Sequence, residues 1–267
     1  MTISADALEV RDVCAGYGAS DIIASVTLQA AQGRITTIAG PNGAGKSTLM
    51  KTLVGLLRPR QGQILIGGRD ITQLSPPQRA LAGLGYVPQE RNVFKNLTIG
   101  ENLRIGFEFI RRKAPEKEFN AARDRVLDLF PDLTARLGEL AGTLSGGQRQ
   151  MLAMGCALIS GPTTLLLDEP SAGLSPRYVT TMLDAVAAVN QAGVTVIMIE
   201  QNLIEAMRVS HDVVLLVAGG IRGKWGADVF LSDPEVRSLF LGGAKAKAEN
   251  LSGNSGPERL SDDASAA

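Results

Sequence analysis

One segment restricts the fold of this chain more than any other, the glycine-rich stretch Gly40-Pro41-Asn42-Gly43-Ala44-Gly45-Lys46-Ser47-Thr48. It follows a β-branched, apolar run at residues 34–39 that predicts a strand, and it leads into residues 48–54, whose apolar spacing predicts a helix. Glycines between a strand and a helix let backbone N–H groups converge on an anion at the helix N-terminus. We therefore expect a phosphate-binding loop and a chain that binds a nucleoside triphosphate.

Two side chains of this loop carry its expected chemistry. Lys46 would reach the β- and γ-phosphates, and the Ser47 hydroxyl would bind Mg²⁺. The alternative is a glycine-rich turn that contains a Lys-Ser pair by chance. The predicted strand and helix on either side disfavour it.

The composition limits the other functions open to the chain. Its 267 residues allow one large or two small domains, and a formal net charge of zero predicts no nucleic-acid partner. No apolar run approaches the roughly 18 residues that a membrane span requires, so any membrane role would be peripheral. Cys14 and Cys156 lie far apart and fit no metal-binding spacing, which favours a reduced, cytosolic chain.

The alternation of strands and helices predicts an α/β fold with a parallel sheet. Before the glycine-rich loop, Leu8–Val13 and Val26–Ala30 predict an antiparallel strand pair. Continuous apolar runs are typical of buried parallel strands. Such runs occur at residues 164–167, 194–199 and 213–217. We also expect an edge strand over 63–66 and a short strand over 85–89 that proline stops.

The middle of the chain changes to charged residues and helix formers, which predicts a mainly helical insertion over about 90–160. Apolar residues recur at helical spacing from Phe119 to Phe130, and a second helix is expected over 146–159. Residues 244–267 contain almost no apolar side chains, so we expect a disordered tail there.

A second glycine motif narrows the class, Leu144-Ser145-Gly146-Gly147-Gln148. With the upstream loop and the later apolar strand that ends in Asp168-Glu169, the chain resembles the nucleotide-binding subunit of ABC transporters over residues 8–242. The resemblance implies a RecA-like P-loop NTPase core, a small N-terminal antiparallel β subdomain and a helical insertion subdomain. It also implies one ATPase domain over residues 6–243, with ATP and Mg²⁺ as ligands.

The second motif is the family's signature. The resemblance implies that Ser145, Gly146, Gly147 and Gln148 close over ATP bound to the opposite subunit. A serine hydroxyl and glycine N–H groups at the start of a helix would form an anion site without a lysine. Ser145 can also act as a helix cap, and the two roles are compatible.

Other positions acquire roles through the same resemblance. Asp168 would bind Mg²⁺ together with Ser47, and Glu169 would activate the attacking water as a general base. The alternative for this acidic pair is a solvated surface charge. Gln89 resembles the family glutamine that contacts Mg²⁺ or the attacking water, although an ordinary loop glutamine after a proline would look the same.

Tyr17 occupies the position where the family has an aromatic residue that stacks on adenine. A tyrosine in a glycine-flanked turn is otherwise simply part of the turn. Residues 171–175 match the D-loop, which in the family contacts the partner subunit.

The sequence departs from the family pattern at the switch position, where Gln201 replaces the usual histidine. We expect Gln201 to act as a neutral substitute that donates a hydrogen bond to a phosphate oxygen. The single histidine, His211, is expected to be structural. Residues 200–202 and the D-loop together resemble the smaller ATPase subunit of branched-chain amino acid importers. Cys156 stands where related chains often have an arginine, and nothing in the sequence explains it.

The resemblance thus implies ATP hydrolysis coupled to import of branched-chain or related hydrophobic amino acids, at the cytoplasmic face of the inner membrane. The implied partners are a second ATPase subunit (identical or different), two transmembrane permeases and, indirectly, a periplasmic solute-binding protein. The alternatives are a cassette for urea or amides, a soluble ABC ATPase without a transport role, a small-molecule P-loop kinase and a non-catalytic regulatory subunit. The kinase alternative leaves the signature unexplained, and Glu169 argues against a regulatory subunit.

We expect the permeases to contact residues 91–103. Within that segment Val93, Phe94, Leu97 and Ile99 would form an apolar docking groove. The alternative is that these side chains only cover the core.

Overall fold

The computed structural model describes residues 6–90, 92–234 and 236. The strands are β1 Asp6–Ala15, β2 Ile23–Ala31, β3 Ile35–Ala39, β4 Gln61–Ile66, β5 Arg69–Asp70, β6 Leu84–Val87, β7 Thr164–Asp168, β8 Thr195–Ile199, β9 Asp212–Val217 and β10 Gly220–Gly226. The α-helices are α1 Lys46–Val54, α2 Pro76–Leu81, α3 Ile99–Ile110, α4 Glu116–Leu129, α5 Gly146–Leu158, α6 Pro176–Gln191, α7 Leu203–Val209 and α8 Ala227–Phe230. Two 3₁₀ helices cover Pro131–Arg136 and Ala141–Thr143.

The first strands form an antiparallel sheet in the order β2-β1-β4-β5. The predicted pairing of the first two strands is confirmed, with Val10 opposite Leu28. The prediction of an edge strand over 63–66 is wrong, because β4 lies between β1 and the two-residue strand β5. The short β5 escaped prediction because Arg69 and Asp70 have no apolar pattern.

The central sheet has the order β10-β9-β3-β8-β7-β6 and confirms the predicted parallel α/β core. The strands from β9 to β6 are parallel, whereas β10 pairs antiparallel with β9. Every residue of β3, β7 and β8 is buried, as expected for strands covered on both faces. The carboxyl ends of parallel strands meet at one edge of a sheet, so the loops after β3, β6, β7 and β8 lie together.

The predicted helical insertion lies between β6 and β7. The two helices expected there are confirmed as α4, which begins earlier than predicted, and α5. Helix α3 precedes them and begins with a capping box, in which Thr98 and Glu101 exchange hydrogen bonds. Phe107 of α3 meets Phe119 of α4 edge to face, with ring centroids 5.5 Å apart, and Phe130 is buried beside them in the same cluster.

All strands and helices α1–α7 belong to one compact unit that ends at Asp228. None of the helices in the described part of the chain is long and apolar enough to cross a bilayer. The predicted end of the ATPase domain at residue 243 and the predicted tail over 244–267 lie outside the described residues, so both stay predictions.

A buried arginine fixes the C-terminal end of α1. Arg79 is almost fully buried, and its Nη1 donates to the carbonyls of Thr52 at 2.7 Å and Leu53 at 2.6 Å. Its Nη2 and Nε donate to the carbonyls of Thr72 and Leu74. Burial lowers the pKa of this guanidinium to about 10. Because the last carbonyls of a helix have no partner within the helix, Arg79 satisfies groups that would otherwise be buried without hydrogen bonds.

We expect Arg79→Met to lower the free energy of unfolding by about 3 kcal/mol, because it leaves several buried carbonyls without a donor. Urea denaturation followed by circular dichroism measures the change. Arg69→Met on β5 is the control, because Arg69 is exposed, and it should change stability by less than about 0.5 kcal/mol. Equal stability of the two variants would contradict the assignment.

Candidate functional site

The glycine-rich loop connects the end of β3 to α1, as predicted. Gly43 and Gly45 have φ angles of 81° and 101°, which side chains other than glycine rarely adopt. A Cβ on Gly40 would lie 2.2 Å from the carbonyl oxygen of Leu216 on β9, so the loop packs against the sheet too closely for any side chain there. The loop therefore leads closely along the sheet into the N-terminus of α1, where the backbone N–H groups of a helix attract anions.

The loop borders a cavity of about 310 Å³. Its lining consists of Ile22, Asn42, Gly43, Gly45, Lys46, Ser47, Thr48 and Glu169. The Nζ of Lys46 donates to the carbonyls of Gly40 at 2.7 Å and Pro41 at 3.0 Å. Burial lowers the pKa of Lys46, while the charges of Glu169 and Asp168 oppose this shift. The ammonium thus has only neutral hydrogen-bond acceptors, an arrangement suited to receive an anion.

Asp168 ends β7 and is 8% exposed. Burial raises the pKa of its carboxyl, the neighbouring Glu169 raises it further, and Lys51 and Lys46 oppose the shift. A Mg²⁺ ion that bridges substrate phosphates takes only one or two protein ligands. The Asp168 carboxylate and the Ser47 hydroxyl fit that donor set, and a bound cation would relieve the buried negative charge.

Glu169 receives hydrogen bonds from two glutamines on neighbouring loops. The Nε2 of Gln89 lies 2.9 Å from its Oε2, and the Nε2 of Gln201 lies 2.8 Å from Oε1 and 2.7 Å from Oε2. Glu169 itself has a left-handed backbone with φ 50°, and its N–H donates to the carbonyl of Ile199 on β8. The structure thus brings together three residues that the sequence separates widely, and one of them, Glu169, lines the P-loop cavity.

A buried carboxylate beside this group was not predicted. Glu200 is 2% exposed and accepts hydrogen bonds from the Ser171 N–H at 2.9 Å and the Ser171 hydroxyl at 2.8 Å. It also accepts from the Gln201 N–H at 3.2 Å. Burial raises the pKa of Glu200, and its hydrogen bonds with Ser171, Gln201 and Asn202 oppose the shift. Sequence reasoning assigned Glu200 no role, because a glutamate after a strand usually lies at the surface.

Tyr17 lies in an exposed turn, with half of its surface open to solvent. The Nζ of Lys51 on α1 lies 3.4 Å from the Tyr17 hydroxyl and 5.9 Å from the ring centre. Arg60 donates to the carbonyl of Gly18 at 2.5 Å and pairs with the carboxylate of Asp21, so it holds the turn. The Tyr17 ring thus lies beside α1, the helix that follows the phosphate loop. Arg60 and Lys51 escaped prediction because no local pattern marks them.

The signature forms the start of α5. Ser145 caps the helix in a capping box with Gln148, whose Oε1 also accepts from Arg136 at 2.8 Å. Ser145 and Gly146 are exposed. Gly147 is buried, and a Cβ there would lie 3.1 Å from the Tyr178 ring. No signature residue lines the P-loop cavity of the same chain.

The predicted structural role of His211 is confirmed, since its Nδ1 accepts from the Ile35 N–H at 3.0 Å.

An apolar groove of about 400 Å³ lies on the side of the helical insertion. Phe94, with 59% of its surface exposed, and Phe109 are among its lining residues. Of the four predicted groove residues, Phe94 lines it, whereas Val93 and Leu97 do not. The prediction for Ile99 is also wrong, because the capping box at Thr98 turns Ile99 into the core, where it is fully buried.

Comparisons with known proteins agree with this geometry. The family model for ABC transporters matches residues 23–172. The probable branched-chain amino acid transport ATP-binding protein LivF of Archaeoglobus fulgidus is 38% identical over 229 residues, which cover 85% of this chain and 95% of that protein. The high-affinity branched-chain amino acid transport ATP-binding protein BraG of Pseudomonas aeruginosa is 37% identical over 227 residues, 85% of this chain and 96% of that protein.

A crystal structure of an ATP-binding cassette of an ABC transporter in its ADP conformation superimposes with a TM-score of 0.80. It is 26% identical, and the match covers 89% of this chain and 99% of that one. The loop, the acidic strand end and the signature therefore occur in the fold that this family uses. The chain belongs to the ABC transporter family, as one of its ATPase subunits.

Proposed function

We propose that this chain hydrolyses ATP to drive the uptake of branched-chain or related hydrophobic amino acids by an ABC importer. The observation that carries the catalytic part is the contact of Glu169 with Gln89 and Gln201 at the wall of the P-loop cavity. The substrate class is supported by the relatives LivF and BraG, which are branched-chain amino acid transport ATP-binding proteins.

In the binding step, the loop N–H groups and Lys46 receive the phosphates of ATP. Lys46 leaves the carbonyls of Gly40 and Pro41 and donates to phosphate oxygens instead. Its hydrogen bonds to these charged oxygens are stronger than those to neutral carbonyls. Ser47 and Asp168 would hold Mg²⁺, which would neutralise charge on the phosphates when bound. Tyr17 offers its exposed ring to the adenine.

In the hydrolytic step, Glu169 takes a proton from the attacking water, while that water's oxygen displaces ADP from the γ-phosphorus. Gln89 and Gln201 orient the carboxylate through hydrogen bonds that carry no charge. Gln201 can donate to a phosphate oxygen in place of a histidine, and it does not titrate near neutral pH. The products are ADP and inorganic phosphate.

The position of the signature supports a site shared between two chains. Ser145 and Gly146 are exposed but do not line the P-loop cavity of their own chain. A second ATPase subunit, identical or different, would supply the signature that closes each site. ATP would favour this closure because contacts to the γ-phosphate exist only when both surfaces meet.

The apolar groove beside Phe94 supports docking of a transmembrane permease and a peripheral location at the cytoplasmic face of the membrane. Phe94 and Phe109 line the groove and expose large aromatic side chains to solvent. Exposed apolar patches of this kind often mark surfaces that bind another protein. The groove also reaches Tyr86 of β6, three residues before Gln89. A permease seated there would contact the segment that leads directly to the hydrolytic site.

We expect Glu169→Gln to bind ATP with unchanged affinity and to lower kcat about a hundredfold, because it removes the general base and keeps the phosphate loop. Lys46→Ala should instead weaken ATP binding itself, because it removes the buried ammonium. Phosphate release and a calorimetric ATP titration separate the two defects. Hydrolysis by Glu169→Gln at the wild-type rate would remove Glu169 from this role.

The transported substrate is tested with the complete transporter. Proteoliposomes that contain this chain, its partner ATPase and both permeases, supplied with the solute-binding protein, should accumulate labelled leucine when ATP is enclosed. Urea and acetamide should not accumulate, and Lys46→Ala vesicles provide the background. Uptake of urea without leucine would assign the chain to a different substrate class.

Docking through the groove predicts that Phe94→Asp uncouples transport, because a charge would replace the exposed aromatic surface. In the same proteoliposomes, leucine uptake should fall at least about tenfold while the basal ATPase rate of the purified chain stays within about twofold. Leu81→Asp is the matched control, because Leu81 is equally exposed on α2 but does not line the groove. Equal uptake by the two variants would contradict docking at Phe94.

A further inference from the structure

Glu200 forms a buried side-chain bridge between the loop after Glu169 and the loop that carries Gln201. Its carboxylate takes two hydrogen bonds from Ser171 on one loop and, on the other, hydrogen bonds from the backbone of Gln201 and Asn202. No ion pair involves Glu200 in the described part of the chain. Burying a carboxylate whose hydrogen bonds all come from neutral donors costs folding free energy, because no positive charge compensates it.

We infer that Glu200 is a positioning residue for ATP hydrolysis, which holds Glu169 and Gln201 in register with each other. The inference rests on the proposed roles of those two residues. Glu200 does not line the P-loop cavity. It acts by joining the two loops into one unit.

The turn that follows Glu169 shows how the bridge reaches the general base. The Ala172 N–H donates to the Glu169 carbonyl at 3.0 Å, which closes a turn over residues 169–172. Glu200 fixes Ser171 inside this turn through both its N–H and its hydroxyl. Glu169 has a left-handed backbone there, a conformation that persists only where the surroundings impose it.

The other end of the bridge fixes the switch loop. The Gln201 N–H donates to Glu200 Oε2, and the side chain of the same Gln201 donates to both oxygens of Glu169. Glu200 therefore controls the backbone from which the Gln201 amide reaches Glu169. A shift of about 1 Å in such a group can cost up to about a hundredfold in rate.

The bridge needs a carboxylate, and an amide cannot replace it. The Ser171 N–H meets Oε1, whereas the Gln201 N–H meets Oε2, and a backbone N–H can only donate. A glutamine offers one acceptor oxygen and one NH₂ group. Whichever way it turns, one of the two backbone N–H groups faces a donor and loses its hydrogen bond.

The test compares kcat and KM for ATP in Glu200→Gln, Gln201→Ala and the double variant, using the purified full chain. Glu200→Gln should lower kcat about tenfold and leave KM within about twofold, because the phosphate loop is untouched. If Glu200 acts through Gln201, the double variant should be no slower than the slower single variant by more than about twofold. Multiplying effects would mean that Glu200 acts independently of Gln201, and they would overturn the inference.

Variants of the partner serine separate positioning from a loss of folding. Ser171→Ala should lower kcat several-fold, and Ser171→Thr, which keeps a hydroxyl, should restore most of it. Asp212→Asn is the matched control, because Asp212 is also buried and pairs with Arg34 at 2.9 Å. It should lower the melting temperature without changing the kcat of the folded fraction.

Two results with the single variants would also overturn the inference, and they have different consequences for Gln201. A wild-type kcat for folded Glu200→Gln, together with a slow Gln201→Ala, would remove Glu200 and leave the proposed role of Gln201 intact. A wild-type kcat for Gln201→Ala would remove Gln201 from the reaction, and the role of Glu200 with it.

Discussion

The burial of opposite charges at the carboxyl edge of one parallel sheet is the constraint on which this structure depends. Strand β3 lies between β8 and β9 and is buried on both faces. The phosphate loop begins where this buried strand ends. Lys46 and Asp168 are both buried where β3 and β7 end. Either charge alone in such surroundings would be costly. Their mutual attraction opposes the burial shift in the pKa of each, so each charge helps to keep the other ionised.

Neutral donors, in contrast, hold the two glutamates next to this charged centre. Gln89 and Gln201 bind Glu169, and Ser171 binds Glu200. An arginine or lysine in contact with Glu169 would stabilise the carboxylate strongly and make it a weaker base. The amide groups of Gln89 and Gln201 fix its orientation without placing a positive charge beside it. A neutral glutamine at position 201 is therefore compatible with the general-base role proposed for Glu169.

Much of this arrangement could be predicted from the sequence, because local patterns carry it. Glycines predict the phosphate loop, and a continuous apolar run predicts the strand that ends in Asp168. Both patterns can be interpreted without knowing which distant residues they contact. Strand β10 escaped prediction because three glycines interrupt its pattern. The Ser171–Glu200 bridge could not be predicted, because it joins residues 29 positions apart and uses a residue type that is usually exposed. The prediction for Ile99 was wrong for a related reason. The sequence does not show whether an apolar residue just after a helix cap faces solvent or the core.

The helical insertion links the groove to the signature through hydrogen bonds that no sequence motif indicates. Phe94 exchanges hydrogen bonds with the buried Asn102, through its N–H at 2.8 Å and its carbonyl at 3.0 Å. Farther along the same segment, the Leu97 carbonyl accepts from the Ala141 N–H at 2.9 Å.

Residue 141 begins the short 3₁₀ helix that leads into the signature, so the turn that exposes Phe94 and the start of α5 share one hydrogen-bonded framework. Asn92 adds a second link, since its Nδ2 lies 2.6 Å from the Oε1 of Gln150 on α5. A partner that displaced Phe94 would therefore strain the framework that holds the signature, rather than move one loop alone. The same geometry works in reverse, because a signature drawn toward a partner's nucleotide would pull on the wall of the groove.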